Sequence, residues 1–464
     1  MHRLPLRVER KTHMKGTPGF PRLLLLSSSV FNPYSGGGIM LSNLFRGWPS
    51  DKIAAVHAEV MPPDITICQQ LYGLRREELG WAWPLCRLAD AFHHAGAAKK
   101  PLSEPAPLSG LGGALSHREH VARWARASID RVFSRQGLRD RAHMSPELQG
   151  FVHDFEPEVI YTLLGSLGFI RMARKLIAAT GARLVVHMMD DWPTTLYAGG
   201  WLGGLWQAQA DRELRTLLKG CALRMAICEP MRLEYEQRYE QPFVTFHNAL
   251  DLGDWLPQSR RSWLPGAKTR LLYSGSVLTN AQLGGLRDIA HVISELRQEG
   301  TDVELALYTP PGDAEANART LEAPGIKVAR VPEEREAMAR LLSGADVLVL
   351  ALDFDPRSVA YTRLSLPTKI PAYLISGTPI LAYGPIEAAQ IRLAKNDGWA
   401  HVVTRRDPAE LKSAIRRLSS ETHYREQLGR RSQALAARDY GAARIRPSFQ
   451  QAVAQAAAAD PQEG

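Results

Sequence analysis

A short apolar run, Arg183–His187, ends in a histidine, and two aspartates follow it closely. The run is typical of a strand buried on both faces, and His187, Asp190 and Asp191 stand at or just beyond its carboxyl end. An imidazole and carboxylates placed together can bind hydroxyl groups or exchange protons with them. The alternative is that His187 belongs to the core and that the aspartates cap the next segment. We expect His187 and at least one aspartate to face a ligand cleft and to act as catalytic residues.

A second polar group lies in the segment Ser365–Pro379, where a helix is predicted to begin near Pro367 and to end at Gly377. The start of a helix offers unpaired N–H groups, and hydroxyl and cationic side chains beside it suit a diphosphate. The alternative is a capped helix with an exposed lysine. We predict a phosphate site at this helix start, formed by Ser365, Pro367, Thr368 and Lys369.

Two glycine-containing loops each follow a predicted strand. Ser35–Gly38 comes after Leu23–Ser27, and Ser274–Ser276 ends the apolar run that begins at Arg270. Glycine lets the backbone approach a ligand closely, and a helix start offers N–H groups to an anion. Either loop could instead be a tight turn without a ligand, and neither has the G-x-G-x-x-G spacing of a dinucleotide site. The loop residues expected to contact a ligand are Gly36, Gly37, Gly38, Gly275 and Ser276.

Residue types that bind metals are present but do not form a recognisable site. Asp353 and Asp355 make a D-x-D pair, which can hold a metal on a diphosphate, but one such pair is expected by chance in 464 residues. The four cysteines include no C-x-x-C pair and are interpreted as reduced core residues. We therefore predict neither a metal nor a bound cofactor.

Strand and helix patterns alternate in two series along the chain. The first covers residues 22–252 and the second residues 269–430, and residues 253–268, which contain Pro, Gly and Trp, are predicted as the linker. Residues 1–21 are predicted to be a disordered basic tail, and 431–464 a C-terminal helix and tail. Such alternation predicts an α/β fold of two doubly wound, Rossmann-like domains. The site is then expected in the cleft where the domains face each other.

The chain is basic, with a net charge of +9 and a pI near 9.4. Positive charge favours phosphates or an anionic membrane surface, although a solvated basic surface without a partner is the alternative. No helix-turn-helix, zinc-finger spacing or aromatic RNA-binding signature occurs, so nucleic acid is not an expected partner. No stretch reaches the roughly 18–20 apolar residues of a membrane span. We expect a cytoplasmic protein that touches the inner face of the membrane.

Four features of the sequence together resemble the GT-B glycosyltransferases related to family 4. They are the Gly36–Gly38 loop, the stretch Ala226–Met231 followed by a helix and by His247–Asp251, the Ser274–Ser276 turn, and Leu366–Pro379. The last is the most specific, because the family's usual segment is P-x-K-x-x-E-Y-L-x-x-G-x-P. The resemblance extends over about residues 20–435.

The resemblance implies a nucleotide-diphosphate-sugar donor on the carboxy-terminal domain and a glycan or lipid-linked acceptor on the amino-terminal domain. It implies that the Gly36–Gly38 loop belongs to the acceptor side and that His187 lies near the transferred sugar. It also implies a hexosyltransferase that retains the anomeric configuration, needs no metal and acts in cell-envelope polysaccharide biosynthesis.

Two departures from the family pattern concern its acidic residues. The family's acid before Tyr-Leu, which contacts the donor ribose, is Ala372 here, and its partner eight residues earlier is Leu364. Nucleotide binding would then depend on Lys369, Arg363 or Arg357. The alternative is a catalytically silent GT-B protein that binds a sugar nucleotide or a partner. A sugar-nucleotide epimerase or a dehydrogenase is a third possibility, but the missing G-x-G-x-x-G counts against a dehydrogenase.

Overall fold

The computed structural model describes residues 19–59, 61–75, 77–80, 141–197, 203–332 and 334–459. Within these ranges the chain forms two parallel β-sheets with helices packed against them, which confirms the predicted α/β fold of two doubly wound domains. The predicted basic tail up to residue 18, Cys86 and the residues from 460 onward lie outside the described part.

The first sheet has seven strands in the order β3-β2-β1-β4-β5-β6-β7, and every neighbouring pair is parallel. Its central strand consists of four leucines and a serine, all fully buried, as expected for a strand covered on both faces. Leu79–Gly80 and Arg141–Ala142 make a separate antiparallel pair. The seven strands are β1 (Leu23–Ser27), β2 (Ile53–His57), β3 (Gln70–Gly73), β4 (Val159–Leu163), β5 (Arg183–Met188), β6 (Leu223–Ala226) and β7 (Val244–Thr245).

The helices of this half begin at residues with clear capping roles. Ser35, Ser145 and Ser166 each accept a backbone N–H in the first turn of the helix that follows. The helices are α1 (Gly36–Phe45), α2 (Pro146–Phe155), α3 (Leu167–Thr180), α4 (Trp192–Thr195), α5 (Gly203–Lys219), α6 (Glu229–Tyr239) and α7 (Leu252–Trp255), with short 3₁₀ turns at Ser50–Lys52 and Leu256–Gln258.

The second sheet has six parallel strands in the order β10-β9-β8-β11-β12-β13. In both sheets the first strand is central and the chain builds outward on one side before it crosses to the other. The six strands are β8 (Thr269–Ser274), β9 (Val303–Thr309), β10 (Ile326–Arg330), β11 (Val347–Ala351), β12 (Ile380–Tyr383) and β13 (His401–Val403).

One helix of the second half differs from its predicted bounds. The helix expected to open near Pro367 begins at Ile370, with Lys369 at its N-cap. Pro371 explains the difference, because a proline is tolerated in the first turn but would remove a hydrogen bond from a helix interior. The helices are α8 (Leu283–Gln298), α9 (Asp313–Arg319), α10 (Arg335–Gly344), α11 (Pro356–Thr362), α12 (Ile370–Ser376), α13 (Ala389–Asp397), α14 (Pro408–Ser420), α15 (Thr422–Asp439) and α16 (Ala442–Ala458).

The chain passes between the two halves twice, and the two passages are hydrogen-bonded to each other. The N–H of Leu250 donates to Tyr440, and the N–H of Ala442 donates back to Leu250. After this second passage α16 packs on the first half, where Phe449 contacts Phe45 with ring centroids 5.1 Å apart. The boundary expected at residue 430 falls inside α15, which packs on α12 of the second half.

A cavity of about 570 Å³ lies between the halves. Its walls come from residues that follow β1, β2 and β5 of the first sheet and β8 to β11 of the second. The carboxyl ends of both sheets therefore open into the same space, which is where ligands of open parallel sheets bind.

Candidate active site

Most of the predicted site residues meet in this interdomain cavity, whose volume is in the usual range for small-molecule sites, roughly 300–1,000 Å³. Four do not line it, namely Gly38, His187, Asp191 and Arg363. Those that do are Gly36, Gly37, Asp190, Gly275, Ser276, Ser365, Pro367, Thr368 and Lys369.

Lys369 joins the two predicted donor-binding segments. Its Nζ donates a hydrogen bond to the carbonyl of Ser274 at 3.0 Å and lies 3.7 Å from the centroid of the Tyr273 ring. Burial lowers the pKa of Lys369 to about 7. The ring face favours the charged form, but one carbonyl leaves the ammonium donors incompletely matched, so an anionic ligand would improve its environment.

The Ser274–Ser276 turn has the conformation that its glycine permits. Gly275 has φ +128°, which side-chain-bearing residues rarely adopt, and its N–H donates to the carbonyl of Tyr308 at 2.9 Å. The hydroxyl of Tyr273 donates to the carbonyl of Ser276. The turn is thus fixed in a shape that places Ser276 on the cavity wall.

The segment before Lys369 is anchored to the first half of the molecule. Asn248 donates from Nδ2 to the carbonyl of Thr368 at 2.8 Å, and its Oδ1 accepts from Asn43 at 2.9 Å. A Cβ added to Gly36 would lie 3.3 Å from the hydroxyl of Thr368. The lack of a side chain at position 36 therefore allows the first glycine loop to approach the predicted phosphate segment.

Asp190 is the predicted catalytic residue that the structure places on the cavity wall. Its Oδ1 accepts a hydrogen bond from the hydroxyl of Ser365 at 2.9 Å, across the domain boundary. Burial raises the pKa of Asp190, and its negative charge is the main cause that raises the pKa of Tyr361 to about 12. A partly buried carboxylate therefore faces the segment that ends in Lys369.

His187 does not face the cavity, so the expectation that it does is wrong. Its side chain is fully buried; Nε2 donates to the carbonyl of Phe246 at 2.9 Å, and Nδ1 accepts from the hydroxyl of Tyr161 at 2.6 Å. Both ring nitrogens are occupied when the imidazole is neutral, and burial lowers the pKa of His187 to about 4. The alternative interpretation, a satisfied core histidine, is what the structure shows.

Asp191 and Arg363 also lie away from the cavity, in an ion cluster that joins the halves. Asp191 is 1% exposed and accepts from Arg238 at 2.6 Å and from the hydroxyl of Tyr235 at 2.9 Å. Arg363 lies 3.5 Å from Asp191 and 3.0 Å from Glu234, and its hydrogen bond lowers the pKa of Glu234 to about 2. Opposite charges from the first half hold Arg363, so it is not directed at a donor.

The glycines of the Ser35–Gly38 loop have two different roles. Gly36 and Gly37 line the cavity, whereas the N–H of Gly38 donates to the hydroxyl of Ser35, so it is not open to a ligand. A Cβ on Gly38 would lie 2.3 Å from the amide nitrogen of Asn32. Asn32 in turn accepts the N–H of Ser35 at 2.7 Å. The glycine at position 38 is therefore required for the packing of the loop itself.

The D-x-D carboxylates accept backbone N–H groups, and Asp355 is the N-cap of α11. Asp353 accepts the N–H of Phe354, and Asp355 accepts the N–H groups of Arg357 and Ser358 in the first turn of α11. Across the described ranges, no group of three or more His, Cys, Asp or Glu is placed to hold a metal. Arg357, the third candidate cation for a nucleotide, is exposed and does not line the cavity.

The described cysteines have no partner that would make them reactive. Cys68, Cys221 and Cys228 are buried and free, and burial raises the pKa of each thiol, to about 12, 12 and 11. Thiols with raised pKa values are poor nucleophiles and poor metal ligands at neutral pH.

One end of the cavity contains residues that the sequence pattern did not reveal. Asp251 forms ion pairs with Arg446 at 2.9 Å and Arg46 at 3.6 Å, and Arg335 of the second half ion-pairs with Asp254. Burial and the nearby Arg335 lower the pKa of Arg46. These partners lie far apart in the sequence and no periodic pattern connects them, so only the fold brings them together.

Comparisons with known proteins give similarity in structure alone. No family model matches the chain, and no curated relative matches it. Sucrose-phosphate synthase from Thermosynechococcus elongatus has a TM-score of 0.60 at 12% identity, with 95% of this chain and 100% of that chain covered. Anabaena HepE in complex with UDP-glucose has a TM-score of 0.56 at 11% identity, with 92% of this chain and 98% of that chain covered.

A third structure, the UDP-forming α,α-trehalose-phosphate synthase from Burkholderia xenovorans, has a TM-score of 0.54 at 12% identity, with 93% and 98% of the chains covered. The similarity extends over nearly the whole of each chain, so it includes both sheets and the cleft between them. The protein therefore has the GT-B fold of glycosyltransferases.

Proposed function

We propose that the protein is a glycosyltransferase that transfers a sugar from a nucleotide-diphosphate sugar to an acceptor hydroxyl in the interdomain cavity. The observation that carries the proposal is the meeting of the Ser274–Ser276 turn and the Thr368–Lys369 segment around one buried amine, at the carboxyl ends of a parallel sheet. HepE was solved with UDP-glucose, and the trehalose-phosphate synthase is named as UDP-forming. A donor of the same chemical class fits the basic and hydroxyl groups here.

The diphosphate would bind on the second half of the molecule. Lys369 supplies positive charge, and Ser276 and Thr368 supply hydroxyl donors on the cavity wall. Such groups stabilise the charge that develops on a leaving diphosphate, which is the main requirement for cleaving the bond between sugar and phosphate. We propose that these residues would neutralise the leaving diphosphate without a divalent ion, so that the reaction is independent of metal.

The chemistry exchanges one bond of the anomeric carbon for another. The bond to the diphosphate oxygen breaks, the bond to the acceptor oxygen forms, and the proton of the acceptor hydroxyl passes to an oxygen of the departing nucleoside diphosphate. We propose that the anomeric configuration is retained and that the transferred group is a hexose. Proton NMR of the new glycosidic linkage would show the inverted anomer if retention were wrong.

The acceptor would enter from the first half, where Gly36 and Gly37 form part of the wall. We propose a glycan or lipid-linked acceptor of cell-envelope polysaccharide synthesis, reached by a cytoplasmic protein in contact with the membrane surface. Among the described residues, no helix combines the length and apolar character that a membrane span requires. Contact with lipid would therefore involve the basic surface, consistent with the net charge of +9.

A catalytically silent sugar-nucleotide-binding protein is the second candidate. Leu364 is buried, and Ala372 on the cavity wall brings no polar group, so two acids that the family resemblance implies are missing. The experiment measures release of nucleoside diphosphate from a panel of nucleotide sugars with envelope extracts as acceptor, for the wild type and for Lys369→Met. Turnover that the substitution abolishes supports the transferase, whereas saturable nucleotide-sugar binding without turnover supports the silent protein.

A further inference from the structure

The cavity wall includes hydrogen-bond acceptors from both halves of the molecule. Asp190 and Gln390 both line the cavity, and the stretch Arg363–Ser365 bonds to Asp190 and to Ala389, the residue before Gln390. Asp190 accepts from the hydroxyl of Ser365 at 2.9 Å, and the N–H of Ala389, next to Gln390, donates to the carbonyl of Arg363 at 3.0 Å. The stretch Arg363–Ser365, which lies just before Lys369 in the chain, therefore contacts residues of both domains.

Among the described carboxylates on the cavity wall, Asp190 is the best placed to receive a ligand near Lys369. Asp251 is neutralised by arginines, and Asp64 accepts the N–H and hydroxyl of Thr66. Glu334 stands before α10, on the side of Arg335. Asp190 uses Oδ1 for Ser365, and its Oδ2 has no hydrogen-bond partner among the described residues.

Gln390 contributes a second acceptor. It is the second residue of α13 and 1% exposed, yet its amide oxygen has no hydrogen-bond partner within the part of the chain described. A buried polar atom without a partner is unfavourable, and a ligand hydroxyl would satisfy it. Gln390 is part of the cavity wall, so a ligand hydroxyl bound beside it could supply the missing donor.

The two positions where the family resemblance implies acids, 364 and 372, carry no carboxylate that could bind the sugar in place of Asp190. Leu364 is buried, and Ala372 is a methyl group on the wall. The negative charge of Asp190 is felt locally, since it is the main cause that raises the pKa of Tyr361 to about 12. A sugar bound here would meet a carboxylate and an amide oxygen, both of which accept hydrogen bonds from hydroxyl groups.

We propose that Asp190 and Gln390 bind the hydroxyls of the transferred sugar and select a neutral hexose over a sugar that carries a carboxylate. This inference rests on the proposed transferase function. A uronate would bring its own negative charge to Asp190, and like charges in a partly buried site repel strongly. A neutral sugar avoids that repulsion and donates its hydroxyl protons to the two acceptors.

The test measures binding of UDP, UDP-glucose and UDP-glucuronate by calorimetry to the wild type, Asp190→Asn and Gln390→Met. We expect the wild type to bind UDP-glucose at least tenfold more tightly than UDP-glucuronate. Asp190→Asn should reduce that preference about tenfold or more, and Gln390→Met should weaken UDP-glucose several-fold. Affinity for UDP itself should change less than twofold in both variants, and Asp211→Asn, on the surface, should behave as the wild type.

The outcomes separate the two proposals. If UDP binds but neither variant alters the preference between glucose and glucuronate, the sugar subsite is elsewhere and this inference fails. If the wild type prefers UDP-glucuronate, the selection rule is overturned. If the folded wild type binds none of the three compounds, the proposed nucleotide-sugar site fails, and the transferase proposal fails with it. Melting temperatures of the variants show that each protein is folded.

Discussion

The amine of Lys369 lies against the face of Tyr273, with its nitrogen 3.7 Å from the ring centroid. Burial lowers the pKa of this lysine from an ordinary 10.5 to about 7. The residue therefore exchanges its proton near neutral pH when the cavity holds no anion. A bound diphosphate would favour the charged form and raise the pKa again, so ligand binding and proton uptake are coupled.

This coupling predicts that affinity for UDP falls as pH rises above about 7, by up to about tenfold per pH unit. The phosphate groups are already fully ionised in that range, because their second pKa is about 6. Lys369→Arg keeps a permanent charge and should lose most of the dependence. Calorimetry in two buffers of different ionisation enthalpy measures the proton taken up. Equal affinity of the wild type at pH values of about 7 and 9 would contradict the idea.

The second prediction concerns His187, whose ring bonds Tyr161 and Phe246 in the core. His187→Ala should lower the free energy of unfolding by about 1–3 kcal/mol per orphaned partner and leave the turnover of the folded fraction nearly intact. Urea denaturation and initial rates on the same preparation check both parts. A large loss of turnover with an unchanged melting temperature would restore the catalytic interpretation.

His187 also contributes to the pH dependence of stability. Burial lowers its pKa from 6.5 to about 4, so the unfolded chain takes up the proton first as pH falls through this window. The stability associated with neutral His187 is present above about pH 6.5 and is lost towards about pH 4. Burial also lowers the pKa values of His57, His247 and His401. Comparison of the wild type with His187→Gln therefore isolates the contribution of His187 to the pH dependence of stability.

The third prediction concerns the ion cluster around Asp191. Asp191→Asn removes the charge that pairs with Arg238 and Arg363 and should destabilise the protein by about 3–5 kcal/mol, as expected when a buried pair loses one member. Thermal unfolding measures the change. Asp211→Asn, in a half-exposed pair with Arg215, is the matched control and should change stability by about 1 kcal/mol or less. Equal effects of the two substitutions would rule out the buried-pair account.

Independence from divalent metal is the fourth prediction. Asp353 and Asp355 accept backbone N–H groups, so we assign the leaving-group charge to Lys369 and the neighbouring donors. We expect EDTA to leave the transfer rate unchanged and added Mg²⁺ or Mn²⁺ to alter it less than about twofold. Loss of activity in EDTA that either ion restores would show that the diphosphate is held in another way.

The fifth prediction is binding to anionic membranes. The net charge is +9, and each Lys or Arg near an anionic surface contributes about 1 kcal/mol. The protein should sediment with vesicles that contain phosphatidylglycerol and not with phosphatidylcholine vesicles, and added salt should release it. Absence of sedimentation with either vesicle at low salt would remove membrane contact from the proposal.

Most of both sheets could be predicted from the sequence, because most strands are short apolar runs such as Leu23–Leu26 that a helical pattern follows. The edge strand β3 (Gln70–Gly73) was missed, because its four residues contain no apolar run and are partly buried or exposed. The cavity followed from the same reasoning, since parallel strands direct their carboxyl ends to one edge. Asp190 and Ser276 were predicted to face the cleft because polar residues just after buried strands are a local signal, and Lys369 because it stands at a predicted helix start; all three line the cavity.

The predictions that failed depend on partners far away in the chain. His187 follows an apolar strand as a cleft residue would, but the hydroxyl of Tyr161, 26 residues earlier, and the carbonyl of Phe246, 59 residues later, hold its ring in the core. The sequence predicts Arg363 as a donor-binding cation, but Glu234, 129 residues earlier in the chain, pairs with it across the domains. No local pattern records such pairings.

The helix α16 returns to the first half of the molecule, where Phe449 packs among Phe45, Tyr161 and Phe246. Because a ribosome releases a chain from its amino terminus, strands β1 to β7 emerge long before this helix exists. Phe45, Tyr161 and Phe246 therefore lack the contact with Phe449 until the entire second half has been translated. The half that is made first therefore matures last, and a nascent chain arrested before Ala442 would present an unfinished surface to chaperones and proteases.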